Sequence, residues 1–198
     1  MKFSSFVNKR SGRIVLAAVP VAVVATVMMG GVAQGAVPVA FSISGSQFEI
    51  SASQLNGTDF SQYAGTTKDT AGNTHDVAIA NIGQASLANL CQSVVTTLPG
   101  GQKVGLMITA GGNGKPATAT NLQIGMTDLK GDSTFDNIRI GVDASTVNTA
   151  AKGDAGDFAQ DASGIQITNL QQQSWSTTAS VFNLTGMHVQ VTDGTTCF

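Results

Sequence analysis

The chain has 198 residues, of which 42% are hydrophobic and 11% are charged. Four of its ten Lys and Arg residues lie in the first 13 positions, so the remainder carries six basic against twelve acidic residues. A nucleic-acid-binding surface needs concentrated Lys and Arg, so this composition excludes that class. The length suits one domain with a real core.

The N-terminal segment has the features of a targeting sequence. A basic start is followed by residues 14–40, which contain no charged side chain. This apolar stretch is about long enough to cross a bilayer core of ~30 Å as a hydrophobic helix. Residues 33–35 (Ala-Gln-Gly) offer the small residues that a signal peptidase requires. We expect residues 1–35 to be a signal peptide or an uncleaved membrane anchor. We expect residues 36–198 to form a single all-β domain, extracellular or associated with the cell envelope.

One apolar spacing recurs four times after this leader. In each copy, apolar or small residues follow one another at intervals of two, two and three residues. A polar or glycine-containing corner comes next, and after it the intervals run in reverse, as three, two and two. Alternation at period two predicts a strand with one buried face, so each unit predicts strand, corner and strand. The clearest runs are Phe48, Ile50, Ala52, Leu55 and Leu122, Ile124, Met126, Leu129, with weaker copies ending at Ile82 and Leu170.

The four predicted units follow in chain order. They span residues 41–63, 75–95, 121–142 and 164–191. Asn56-Gly57 is predicted as the corner of the first unit, Lys130-Gly131-Asp132 as that of the third, and a wide corner holding Trp175 as that of the fourth.

Three segments lie between the units. Alternating apolar residues predict an extra strand at 104–108, between a turn at 99–101 and a Gly-rich loop at 111–116. Residues 144–163 break the pattern, and we expect a long surface loop there with one short helical turn.

The predicted fold class is therefore all-β. Four strand–corner–strand copies favour an elongated, irregular β-solenoid-like or roll architecture, with a β-sandwich as the alternative. The uneven distances between equivalent positions are what make the predicted solenoid irregular.

The two cysteines, Cys91 and Cys197, are an even count in a chain predicted to be exported. A disulfide is the expected state in an oxidising compartment, and it would tie the C-terminal tail to the second unit.

The residues that suit catalysis are few. The chain has no G-x-S-x-G pentapeptide. Gly131-Asp132-Ser133 resembles the block that names the GDS lipases, but it lies mid-chain and Thr185 stands where the family's triad aspartate would precede His188. His75 and His188 could each act as a general base beside Asp76 or Asp193, although both are predicted to face solvent. Ser133 and His188 are therefore weak catalytic candidates.

No metal or cofactor site is expected. The histidines and cysteines have no zinc-site spacing. Asp154, Asp157 and Asp161 lie in the predicted loop, where carboxylates can hold Ca²⁺, but a solvated acidic loop is favoured.

The chain resembles a family of exported actinobacterial proteins of unknown function, many of whose members bear the name cholesterol esterase. The matching residues are Phe41 to Gly45, Phe48 to Leu55, Gly57-Thr58, Gln62-Tyr63, Asn89 to Val94, Thr109 to Gly112 and Ala144-Ser145. This resemblance implies a lipid or sterol-ester hydrolase that acts outside the cell. It assigns the activity to no residue of this chain.

Two functions remain as hypotheses. The first is an exported, envelope-associated β protein that binds a lipid, a sterol or other apolar material, or that serves a structural role. The second is the esterase that the resemblance implies. An open roll would expose a groove of apolar side chains, whereas a closed one would fill a dry core with them. The sequence does not fix the oligomeric state.

Overall fold

The computed structural model describes residues 44–198; the predicted leader, its hydrophobic helix and its cleavage site lie outside these residues. The described part contains nine strands and one 3-10 turn at Ala144–Thr146, with no α-helix. The all-β prediction is confirmed. The strands are β1 (Phe48–Lys68), β2 (Thr74–Ala88), β3 (Leu90–Thr97), β4 (Lys103–Ala110), β5 (Ala117–Asp136), β6 (Arg139–Asp143), β7 (Phe158–Thr178), β8 (Val181–Asn183) and β9 (His188–Thr192).

All nine strands join one antiparallel sheet. Its order is β6-β7-β5-β2-β1-β3-β4-β9, with β8 paired to β5. Because β1 also pairs with β7, the four long strands β1, β2, β5 and β7 pair in a cycle. The sheet is thus a roll whose inner face is enclosed. Strands β3, β4 and β9 extend beyond this cycle, and we call these three strands the wing.

The three-residue interval of the sequence pattern marks places where neighbouring strands bend together. Asn89 and Asn169 have positive φ values of 51° and 54°. The strand registers place both of them opposite Ser53 of β1. A single residue in the left-handed region interrupts the inward and outward alternation of side chains. As a result, Leu87 and Leu90 are both buried in the core although they are three residues apart.

A second line of corners crosses the same strands further along. Asp59 and Asn121, with φ values of 54° and 50°, lie on β1 and β5, opposite Gly83 of the intervening strand β2. The buried side chains of Ile82 and Ala85 are again three residues apart. The corners are therefore aligned across strands as in a solenoid, while the strands themselves run antiparallel.

Asparagine side chains reinforce these corners. Asn89 Nδ2 donates to Ser53 Oγ at 2.9 Å, and Asn137 Nδ2 donates to Ser163 Oγ at 2.9 Å. Asparagine tolerates positive φ better than most residues because its short polar side chain bonds locally. Each of these two residues thus both bends the chain and bonds the strand beside it.

The main core lies between the inner faces of the long strands. It is aliphatic, with few aromatic side chains, and its largest fully buried members are Leu55, Met126 and Leu170. A second, smaller cluster of Tyr63, Ala144, Val147 and Ala159 lies beneath the segment between β6 and β7. That segment is therefore partly buried and ends at residue 157, so the prediction of a surface loop reaching residue 163 was wrong. The short helical turn predicted there is present.

Two predicted corners and the position of the tryptophan also need correction. β1 continues through Asn56-Gly57, and β5 continues through Lys130-Gly131-Asp132 with a register shift. Gly57 serves close packing, because a Cβ there would lie 2.5 Å from Ile82 Cγ2. Trp175 lies within β7 rather than in a corner. The extra strand predicted at 104–108 is present as β4.

A disulfide joins Cys91 of β3 to Cys197, with a Cα–Cα distance of 5.8 Å, as the cysteine count predicts. It fixes the C-terminal tail, whose Cys197 N–H also donates to Ser93 Oγ at 3.0 Å. Cross-linking residues about 100 apart is worth roughly 4.7 kcal/mol in the chain-entropy account. The tail is thereby held against the outer face of the wing.

Substitution of Asn89 tests the role of the corners. We expect Asn89→Ala to lower the free energy of unfolding by about 1–2 kcal/mol, because alanine is strained at positive φ and the bond to Ser53 is lost. Asn89→Gly should cost less, since glycine adopts this conformation freely. Urea unfolding of both variants measures the difference. Ser53→Ala is the control that leaves residue 89 unchanged and removes the hydrogen bonds of Ser53 Oγ with Asn89 and with the Ala88 carbonyl. Equal losses for the alanine and glycine variants would contradict this account.

Candidate binding site

The two weak catalytic candidates lie on distant strands. Ser133 is on β5, opposite Ile167 of β7, and His188 begins β9, opposite Thr109 of β4. Both are exposed, and four strands of the sheet separate β5 from β9. Within residues 44–198, no side-chain hydrogen bond links either residue to another group. The sheet does not bring them together.

A different polar cluster forms around His75. Its Nε2 lies 3.1 Å from Asp69 Oδ2, and its ring stacks on the indole of Trp175 with 3.8 Å between ring centroids. Asp69 is buried, while His75 and Trp175 are partly exposed. The sequence indicates His75 but pairs it with Asp76. The partner is Asp69, and Trp175 is brought to His75 only by the pairing of β2, β5 and β7.

Asp69 is held ionised by its hydrogen bonds. The pKa of Asp69 is lowered from 3.8 to about 2, chiefly because the side-chain amide of Asn73 donates to it. Burial opposes this shift, and donation from the backbone N–H groups of Asn73 and Ala71 and from His75 adds to it. The carboxylate thus organises the turn between β1 and β2 and orients the imidazole.

The three aspartates weighed as Ca²⁺ ligands in the sequence do not form a cluster. Asp161 lies inside β7, is 1% exposed, and accepts from Arg139 Nε at 2.8 Å and from the backbone N–H of Asn148 at 2.8 Å. The pKa of Asp161 is lowered first by the Arg139 bond, against the opposing effect of burial. Asp154 and Asp157 are exposed. Asp161 therefore anchors the segment that covers the second core.

A shallow groove lies where β5 leaves β2 to follow β7. Its volume is about 720 Å³, within the range of small-molecule sites. Met126 and Val77 line it together with the exposed Phe158, but Asp76 and Asp157 line it as well. The groove therefore combines a mainly apolar lining with two carboxylates.

The wing carries the clearest apolar surface. Residues directly opposite one another on antiparallel strands share a face, and Ile50 of the core lies opposite Gln92, which lies opposite Ile108, which lies opposite Val189. The face that is enclosed in the roll therefore continues onto the wing, where nothing within residues 44–198 encloses it. We call this surface the wing face; its members are Gln92, Val94, Thr96, Val104, Leu106, Ile108, Val189 and Val191.

The wing face is apolar and free of charge. Leu106 is 42% exposed, Val189 47% and Val191 74%. Single exposed apolar residues are ordinary, but a contiguous patch on adjacent strands marks an interaction surface. Part of the opposite face of the wing is covered by the C-terminal tail, where Thr192 Oγ1 and the backbone of Thr195 pack over Gly105. The outward side chains of β9, His188 and Gln190, remain exposed.

A comparison with family models bears on identity. The model of a family of unknown function, DUF6230, matches residues 44–198. The chain belongs to this family. No curated protein and no solved structure matched it.

Two further properties of this DUF6230 member follow from the described residues. No helix among residues 44–198 is both long and apolar enough to cross a bilayer. The same residues hold no group of three His, Cys, Asp or Glu side chains placed to bind a metal ion. The alternation of apolar residues in the sequence of β4 and β9 predicts which side chains form the wing face. It does not predict that these side chains are exposed.

The lowered pKa of Asp69 predicts a specific acid sensitivity. A carboxylate whose pKa falls on folding stabilises the native state above its unfolded pKa, near 3.8, and this contribution disappears as the pH falls towards about 2. We expect Asp69→Asn to lower the melting temperature near pH 6 and to match the parent protein near pH 2. The measurement is thermal unfolding followed by the fluorescence of Trp175, the only tryptophan.

Asp76→Asn is the matched control, because Asp76 is a nearby exposed aspartate with no side-chain hydrogen bond among the described residues. A difference between Asp69→Asn and the parent protein that stays constant from pH 6 to pH 2 would contradict the assignment.

Proposed function

We propose that this protein is an exported, envelope-associated β protein that binds apolar material, such as a lipid or sterol, on the wing face. The observation that carries the proposal is the continuation of an enclosed apolar sheet face into an exposed one. Supporting it, the wing is held rigid from behind by the disulfide and the tail. A rigid apolar surface loses little conformational freedom on binding, so more of the burial energy remains as affinity.

The energetic scale supports a ligand of modest size. Burying apolar surface contributes about 25 cal/mol per Å². An alkyl chain laid across β4 and β9 would cover Leu106, Val189 and Val191 together, whereas each alone offers too little area. Because the wing face has no charged side chain, an apolar chain displaces no ion pair when it binds.

Export is supported by two features. One is the leader at residues 1–35. The other is the disulfide, a bond that is rare in proteins kept in a reducing cytosol. A structural role in the envelope is compatible with the same features, and it differs from the binding proposal in requiring no ligand.

The second candidate is the extracellular lipid or sterol-ester esterase. The hydrogen bond between Asp69 and His75 favours it, since an aspartate that orients a histidine supplies two of the three members of a hydrolase triad. Ser133 and His188 remain its weak sequence candidates. Turnover of a p-nitrophenyl ester and of a sterol ester by purified protein, abolished by Ser133→Ala or by His75→Gln, would replace the binding proposal with this one.

A binding titration tests the wing face. We expect decylpyrene, delivered from cyclodextrin, to bind the parent protein saturably and to bind Leu106→Gln at least about tenfold more weakly, because a buried unpaired amide costs roughly 1–3 kcal/mol. The matched control is Ile140→Gln on β6, since Ile140 is also exposed, at 67%, but lies away from the wing. Pyrene fluorescence gives both affinities, and circular dichroism confirms that the variants fold. Equal affinities for the two variants, or no saturable binding by the parent protein, would exclude this site.

Mapping the N-terminus tests export. We expect protein recovered from the culture medium to begin at Ala36, or protein in the membrane fraction to retain the whole leader. N-terminal sequencing or intact-mass measurement of both fractions distinguishes the two outcomes. Full-length protein confined to the cytosol would contradict export.

A further inference from the structure

One buried polar atom of the core, on β7, lacks a hydrogen-bond partner among the described residues. Thr177 lies on β7 opposite Ile124, so its side chain faces the core. Its Oγ1 is buried and has no hydrogen-bond partner among the described residues. A buried hydroxyl without a hydrogen-bond partner costs free energy. A molecule from outside the protein that hydrogen-bonds to it would remove this cost.

A small cavity adjoins this hydroxyl. Its volume is about 10 Å³, close to the least space that holds one water molecule or one hydroxyl group. Its other walls are apolar side chains of the core, the half-covered ring of Phe182, and the amides of Gln92 and Gln172. Gln92 belongs to both the cavity lining and the wing face, so the two adjoin at this side chain.

The charge of this region selects the kind of group that fits. None of the residues that line the cavity carries a charge, and none of the wing face does. A carboxylate or phosphate placed there would be buried without a counter-ion, at a large cost. A neutral hydroxyl suits the site, because Thr177 can both donate to it and accept from it.

We propose that the wing binds a neutral amphiphile, a long-chain alcohol, with its hydroxyl group hydrogen-bonded to Thr177 Oγ1 and its alkyl chain along the wing face. This inference rests on the proposed function, since it assigns the polar end of the ligand whose apolar end the wing face holds. Gln92 lies where the cavity meets the wing face, so the ligand would contact it between its hydroxyl group and its alkyl chain.

Three pyrene probes with the same chain test the proposal: pyrene-decanol, pyrene-decanoic acid and decylpyrene, each titrated below its aggregation threshold. We expect the parent protein to bind pyrene-decanol more tightly than decylpyrene, and to bind pyrene-decanoic acid most weakly of the three. Thr177→Val conserves volume and removes the hydroxyl, so the preference for the alcohol over decylpyrene should fall by about five- to tenfold, the worth of one hydrogen bond. Thr177→Ser should restore most of it.

The outcomes separate the two proposals. If decylpyrene binds but Thr177→Val leaves the preference for the alcohol unchanged, or if the acid binds as well as the alcohol, the cavity holds only solvent and this inference fails while the proposed function stands. If none of the probes binds the parent protein, both fail. The variants' folding is followed by thermal unfolding, in which the valine variant should be at least as stable as the parent because it removes an unpaired buried hydroxyl.

Discussion

The structure depends on the alignment of left-handed corner residues across neighbouring strands. A strand that bends alone would turn its apolar side chains out of the core, because inward and outward positions alternate strictly. Here Asn89 and Asn169 sit opposite the same residue of β1, and Asp59 and Asn121 flank the same glycine of β2. The strands change direction together, and the buried face remains continuous through both bends. The roll, its enclosed core and the wing that extends from it all follow from this constraint.

This constraint explains how far the sequence could be interpreted. The interval of three between Ala52 and Leu55 coincides with a bend in the first unit, and the interval between Ile167 and Leu170 with one in the fourth, although the corners were predicted after these runs. Yet turn chemistry pointed to Asn56-Gly57, where the glycine instead makes room for the side chain of Ile82. Local composition cannot distinguish a glycine required by backbone conformation from one required by a packed neighbour. Only the pairing of β1 with both β2 and β7 decides between them.

The candidate site was less accessible from the sequence than the fold. Alternation in β4 and β9 identifies which side chains share a face, but exposure depends on whether another layer covers them, and that is a property of topology. The Asp69–His75–Trp175 cluster was missed for a related reason, since its members come from β7, from β2 and from the turn before β2. Asp161 was misplaced because its neighbours in sequence are acidic and Gly-rich, whereas its partner Arg139 is on the adjacent strand β6.

The pairing of β1 with β7 has a consequence for the order of folding. The strand that closes the roll begins at Phe158, and the cysteine that secures the tail is the last residue but one. Contacts between such distant parts of a chain form late, because the entropy of closing the intervening loop must be lost first. The roll therefore cannot close until β7 has been synthesised, and until then the inner faces of β1, β2 and β5 stay accessible to chaperones.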